Sequence, residues 1–233
     1  MTGEHELLEH YYAKAERDYK FHCNERNDSV ACHDLASFYQ LRRKDFTKAL
    51  EIFKENCFKK NYGESCFMYG QLLSNGKKGV VMDMEEGTRA YQHGCNIKKH
   101  YSGASCYCAG LLSINEKMNK KVKSVVGPVN VDKALKLFIR GCEVDEKNSC
   151  TSAATLLYER EKNSDYKLGY KCAVKACEMN SLAGCRLAAK ACKDGLGTEV
   201  NEKLFQYFRT RAVALQNVES ENRTRRIRTK KNE

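Results

Sequence analysis

Cys142-Glu-Val-Asp-Glu-Lys-Asn-Ser-Cys150 decides the fold. Two cysteines enclose seven residues, and the arrangement recurs along the chain. Cys23 and Cys32 enclose eight residues, Cys57 and Cys66 eight, Cys95 and Cys106 ten, Cys177 and Cys185 seven. Ten of the thirteen cysteines are used in this way. Each pair lies between the end of one helix-like segment and the start of the next. Each reads as a disulfide that pins two neighbouring helices.

Working outward from the second cysteine of each pair, Cys32, Cys66, Cys106, Cys150 and Cys185 stand 34, 40, 44 and 35 residues apart. Four positions later comes Ala36, Gly70, Gly110, Ala154 or Ala189, always small. Seven positions later come Tyr39, Leu73, Ser113, Leu157 and Cys192. Positions four and seven from one start share a helix face, so this is helix A of a repeat. Eight residues before the first cysteine stand Ala15, Ala49, Gly87, Ala134 and Gly169, again small. Four before it stand Tyr19, Phe53, Tyr91, Phe138 and Ala173, which mark a core stripe on helix B. Twelve before it, Asp45, Asp83, Asn130 and Asp165 are expected as N-caps, and Asp83 with Glu86 has capping-box spacing.

These columns predict an all-α protein, an α/α solenoid of helix–turn–helix repeats cross-linked by disulfides. Residues 1–31 are expected to form an N-terminal capping helix. Five repeats follow over 32–65, 66–105, 106–149, 150–184 and 185–220, and a disordered basic tail over 221–233. The last repeat should place its B helix near Asn201–Val213, without a terminal cysteine because no further helix needs pinning. The longest connection, Asn115–Val129, reads as a flexible insertion.

The 233 residues carry 41 basic and 30 acidic side chains, a net charge of +11. Arg223, Arg225, Arg226, Arg228, Lys230 and Lys231 concentrate part of it in the tail. No aromatics are interleaved there, so a nucleic-acid partner is not expected, although the tail is free to touch acidic surfaces. No apolar run reaches the ~18 residues of a membrane span, so no membrane insertion is expected, and the chain is read as a monomer. The acidic start, Met-Thr-Gly-Glu-His-Glu, has neither a secretory pattern nor the arginines of a presequence. So many cysteines conflict with a reducing cytosol. The mitochondrial intermembrane space, which oxidises small cysteine-rich proteins imported without a presequence, reconciles the two facts. A secreted or periplasmic chain that has lost its leader is the rival.

The columns resemble Sel-1-like repeats, α/α hairpins related to tetratricopeptide repeats. Leu35-Ala36-Ser37-Phe38-Tyr39 and Asp45-Phe46-Thr47-Lys48-Ala49 follow the short consensus well, and Val131-Asp132-Lys133-Ala134 and Tyr69-Gly70 in part. The added cysteine pairs are similar to those of the hcp beta-lactamase-like family. Their number and spacing most resemble its branch that serves cytochrome c oxidase assembly in the intermembrane space. That resemblance implies a role in assembling respiratory complex IV, with other proteins of that assembly as partners. The expected action is that of a protein-binding scaffold. The alternative is a haem-binding thiol–disulfide reductase acting on copper chaperones of complex IV.

Little in the sequence points to chemistry. Cys108, Cys172 and Cys192 stand outside the pairs, in helix columns shared with Met68 and Leu187, with Ile52, Ala90 and Leu137, and with Leu73 and Leu157, and are expected as buried thiols. The functional reading of them is thiol exchange or metal or haem ligation, with Cys172 five residues from Cys177. No Cys-x-x-Cys occurs. Of the histidines, His22 adjoins Cys23 and His33 adjoins Cys32, but those sulfurs are already assigned, so no metal site is expected. No cofactor is expected, haem ligation by one histidine and one cysteine being the exception kept open. Ser74-Asn-Gly-Lys77 and Ser164-Asp-Tyr-Lys167 match one element of a serine beta-lactamase, but its other two elements are missing. No catalytic residue is assigned.

Overall fold

A computed structural model describes residues 2–231 apart from 98 and 101, the side chains of 2–4, 119 and 223–231 excepted. The described residues form helices and turns, with one isolated bridge between Lys77 and Val80. The chain divides into two compact units, residues 1–130 and 131–233. The first holds α1 (Thr2–Asn24), α2 (Ser29–Phe38), α3 (Phe46–Phe58), α4 (Gly63–Asn75), α5 (Met84–Asn96), α6 (Gly103–Ile114) and α7 (Glu116–Val126). The second holds α8 (Val131–Glu143), α9 (Lys147–Glu159), α10 (Asn163–Glu178), α11 (Leu182–Asp194) and α12 (Glu202–Lys231). In each unit consecutive helices pack as antiparallel hairpins, so the all-α Sel-1-like repeat architecture is the observed one.

The small columns explain how closely the two helices of a hairpin approach. A Cβ on Gly70 of α4 would sit 2.8 Å from the Gly87 carbonyl and 2.7 Å from the Tyr91 ring, both on α5. Gly87 faces back, 3.0 Å from the Gly70 carbonyl. The position four after the second cysteine therefore meets the position eight before the next first cysteine. Ala36, Ala49, Ala134 and Ala154 occupy the same columns fully buried. The aromatic column supplies the bulk, with Phe53 and Phe138 0 % exposed, each burial contributing about 1.5–3 kcal/mol.

The caps divide into those expected and those not. Asp45 accepts from the Lys48 N–H at 3.0 Å and Asp83 from the Glu86 N–H at 2.9 Å. Asp165 is not a cap, because α10 begins two residues earlier, after Lys162. Its carboxylate turns instead to Arg160, 3.4 Å away. The turn from each B helix to the next A helix carries a second cap column, four residues before the second cysteine. Asp28, Ser102, Glu146 and Ser181 hold it, each accepting from backbone N–H groups of the helix that follows. The residue before the cap lies in the left-handed region at Asn27, Asn61, Asp145 and Asn180, with φ between 52° and 60°. Asn and Asp tolerate that conformation better than other side chains.

Two expectations are corrected. Asn115–Val129 is not an irregular insertion: it folds as α7, which packs on α5 and α6. Val122, at a kink within α7, and Val126 are 0 % and 5 % exposed and anchor it. The B helix of the last repeat does not stop near Val213, and the backbone of 221–231 is helical as the continuation of α12. Nothing between Glu202 and Lys231 breaks a helix, since neither glycine nor proline occurs there. The basic side chains from Arg223 onward lie outside the described residues.

Candidate functional site

All five cysteine pairs are bridged, the first cysteine in the last turn of a B helix and the second in the first turn of the next A helix. Cys23–Cys32, Cys57–Cys66, Cys95–Cys106, Cys142–Cys150 and Cys177–Cys185 have Cα atoms 4.4–4.7 Å apart, within the range a disulfide spans. The residue before each second cysteine is Ala31, Ser65, Ser105, Ser149 or Gly184, all small, so the two helix ends can close on each other. Gly94 makes the point from the other side: a Cβ there would lie 2.7 Å from the Cys66 Cβ and 2.7 Å from the Ser105 hydroxyl.

The bridges differ in their surroundings. Cys57, Cys66, Cys95 and Cys106 are 0 % exposed, whereas Cys23 is 6 % exposed and adjoins a cavity of about 240 Å³. Lys60 lines that cavity and points its ammonium at Cys32 Sγ, 2.9 Å away, and at the Cys23 carbonyl, 3.1 Å away. Sequence reasoning passed over this lysine. The signal was available, because three residues after the first cysteine stand Arg26, Lys60 and Lys98 in the first three pairs.

His93 lies beside the Cys57–Cys66 bridge, its ligand atom within 4.8 Å of both sulfurs. Both sulfurs are spent in the bridge, so the cluster offers one nitrogen donor. The His93 Nε2 pairs with Asn61 Oδ1 at 3.1 Å and the ring packs on Phe58. His33 is likewise engaged, with Nδ1 3.1 Å from the Ser65 hydroxyl and its ring against Phe53 and Tyr62. Burial holds its pKa below 6.5, the nearby Asp34 charge opposing weakly. Its neighbour Cys32 is bridged to Cys23, so this donor set does not fit haem ligation by one histidine and one thiolate.

The remaining thiols fall on helix faces. Cys108 is half-buried on α6. Cys172 and Cys192 are buried between α10 and α11 with Tyr158 and Tyr170 near them. Cys192 Sγ lies 3.6 Å from the Tyr170 hydroxyl. Desolvation pushes the Cys172 thiol up to about 11, with Lys175 opposing, so little thiolate exists at neutral pH. Five residues turn a helix by about 140°, so Cys172 and Cys177 face different sides of α10 and Cys177 is bridged to Cys185. Of the two Ser-x-x-Lys matches, Ser164 donates to Asp165 Oδ1 at 3.2 Å in the first turn of α10. Ser74 packs between α4 and α5 beside Gly87.

No family model matches the chain. It is similar to cytochrome c oxidase assembly factor 7 of Xenopus tropicalis, 24 % identical over 97 % of this chain and 96 % of that protein. The homolog of that factor from Drosophila melanogaster is 25 % identical over 90 % of this chain and 89 % of that protein. Among solved structures, a Sel1 repeat protein from Oxalobacter formigenes superposes with a TM-score of 0.63 at 17 % identity, over 86 % of this chain and 79 % of that one. A protective antigen of uropathogenic Escherichia coli with an SLR fold gives 0.65 at 14 % identity, over 84 % of this chain, which spans 40 % of that protein's length. The structural likenesses bear on the fold. The sequence likenesses bear out the resemblance to the cytochrome c oxidase assembly branch.

Proposed function

We propose that this chain, a disulfide-stapled Sel-1-like repeat protein similar along nearly its whole length to cytochrome c oxidase assembly factor 7, serves the assembly of respiratory complex IV. It does so as a protein-binding scaffold in the mitochondrial intermembrane space. The observation that carries the reading is the 24 % identity to the Xenopus tropicalis factor, sustained over 97 % of the chain and not confined to one repeat. Five bridges favour an oxidising compartment, since cytosolic thiols are kept reduced. No helix among the described residues is long and apolar enough to cross a membrane, so the reading needs no lipid-embedded role. Helical solenoids present extended surfaces to other proteins, and the partners here are other proteins of complex IV assembly. Loss of the protein should deplete assembled complex IV on native gels while other respiratory complexes persist, and re-expression should restore it. Unchanged complex IV would overturn the proposal.

One observation favours a second reading, thiol–disulfide exchange. Attack by a partner thiolate on Cys23 Sγ would form a mixed disulfide and release Cys32 as a thiolate beside the Lys60 ammonium, which favours that charge. Replacing Lys60 by Met should slow reduction of the Cys23–Cys32 bridge by a dithiol if this reading holds. An unchanged rate removes it.

A further inference from the structure

The last hairpin ends in a surface that every earlier hairpin covers. Asn201 caps α12 by accepting from the Leu204 N–H at 3.0 Å, as Asp45 caps α3 from the Lys48 N–H at 3.0 Å. Aligned on that cap, Phe205, Arg209 and Val213 of α12 occupy the columns of Gly169, Ala173 and Cys177 in α10. On α10 Gly169 faces α9 of its own hairpin, Cys177 is bridged to Cys185 of the next A helix, α11, and Ala173 and Cys177 are 0 % and 1 % exposed. On α12 Val213 is 52 % exposed and Arg209 is exposed. The position that a further A helix would take is a groove of about 430 Å³ between α11 and α12.

The rim of this groove carries positive charge where the interior columns are uncharged. One, five and eight residues after the second cysteine, the four interior A helices carry His33, Ser37 and Gln40; Phe67, Gln71 and Ser74; Tyr107, Leu111 and Ile114; and Thr151, Thr155 and Tyr158. The first of these columns faces the following A helix: His33 meets Ser65 at 3.1 Å, and Thr151 meets Ser181 at 2.9 Å. On α11 the same columns read Arg186, Lys190 and Lys193. Arg209 adds a fourth cation from α12, against one lining acid, Asp194. None of the four forms an ion pair among the described residues; Arg186 donates to Gln216 Oε1 at 3.0 Å, and the Lys193 ammonium stands over the Phe205 ring. Between the cations the floor remains apolar, made by Ala189, Phe205 and Ala212.

We infer that this groove docks an amphipathic helix of another protein, with an apolar ridge at i, i+3, i+4 and i+7 flanked by glutamates. The repeat register supplies the shape, since the groove is the seat of an A helix. The rim supplies the charge, since acidic flanks complement four unpaired cations and steer the encounter. A polar outer face alone would suit a solenoid end that needs only solubility. Val213, exposed beside the cations, and the half-buried Phe205 ring are what that explanation leaves out. The inference sharpens the protein-binding reading and rests on it, but the two fail separately, one by complex IV assembly and the other by a titration.

The titration uses the full chain, oxidised, and a fluorescein-labelled designed helical peptide with a leucine ridge and glutamate flanks. Anisotropy should show saturable 1:1 binding that weakens with salt. Reversing Lys190, Lys193 and Arg209 to Glu should weaken it by about tenfold or more, with the thermal midpoint kept as the check that the variant folds. Replacing Val213 by Ser, which leaves the charge of the groove unchanged, should also weaken it. Equal affinity for unstructured poly-glutamate, binding unaffected by the reversals, or no binding would each overturn the inference. So would concentration-dependent self-association that the reversals abolish, because the occupant would then be a second copy.

Discussion

The turns between hairpins and the turns within them obey different rules. Between hairpins, four turns share one recipe: a left-handed Asn or Asp, a side-chain or backbone start to the next A helix, and a bridge closing the two helix ends. Within hairpins the routes vary, although left-handed Lys44 and Glu161 each precede the cap of the next helix. After α2 the chain runs through a π-helical turn, Tyr39–Arg43, ended by Lys44 at φ 58°. After α4 it uses Gly76 and the Lys77–Val80 bridge, and after α6 it inserts the whole of α7. After α11 it uses Gly195 and Gly197. Covalent bonds fix how one hairpin sits on the next. Side-chain packing fixes how A meets B, and loop length there costs little because closure entropy grows slowly with length.

That contrast can be broken at the bridges first. Replacing Cys57 and Cys66 together by Ser should lower stability by about 2–3 kcal/mol in denaturant titration, the chain-entropy value for so short a loop. A cost near zero would make the bridge a passenger on packing. Within a hairpin, Gly70→Ala should cost about 1–3 kcal/mol, because the added Cβ would meet the Gly87 backbone carbonyl at 2.8 Å, which must move. A neutral result would mean that α4 and α5 separate freely. Next in size, Asp83→Ala removes the acceptor for the Glu86 N–H at the start of α5, and about 1 kcal/mol should go with it.

The smallest expected effect is the dependence on pH at His33, which joins the first two A helices through Ser65. Its folded pKa lies below 6.5, so below that pH the unfolded chain takes up a proton that the folded chain refuses. Stability should therefore fall as pH drops from about 7.5 to about 5.5, and His33→Gln should flatten that slope. An unchanged slope in the variant would assign the dependence elsewhere.

The recurrence of cysteine with small and aromatic columns made the repeat fold legible, because each column answers to one contact. Gly70 meets Gly87, and Phe53 fills the space between helices. The bridges were legible for the same reason. What escaped had no period to reveal it. Helix α7 occurs once, and its two anchors, Val122 and Val126, sit among lysines that read as a solvated loop. Asp165 matched the cap column by position, but α10 starts at Asn163, after Lys162. The left-handed Asn27, Asn61, Asp145 and Asn180 did form a column, five before the second cysteine, but Asn and Asp are common in turns of every kind. Lys60 and the groove cations stand in columns of their own, but what each basic column meets becomes visible only in the fold.

The account rests on oxidised bridges between hairpins. Its most direct test is to unfold protein isolated under acid quench, alkylate it without reductant, and weigh it. Three added groups are expected of the thirteen cysteines, with the other ten blocked until a reductant is added. Thirteen added groups before reduction would contradict it.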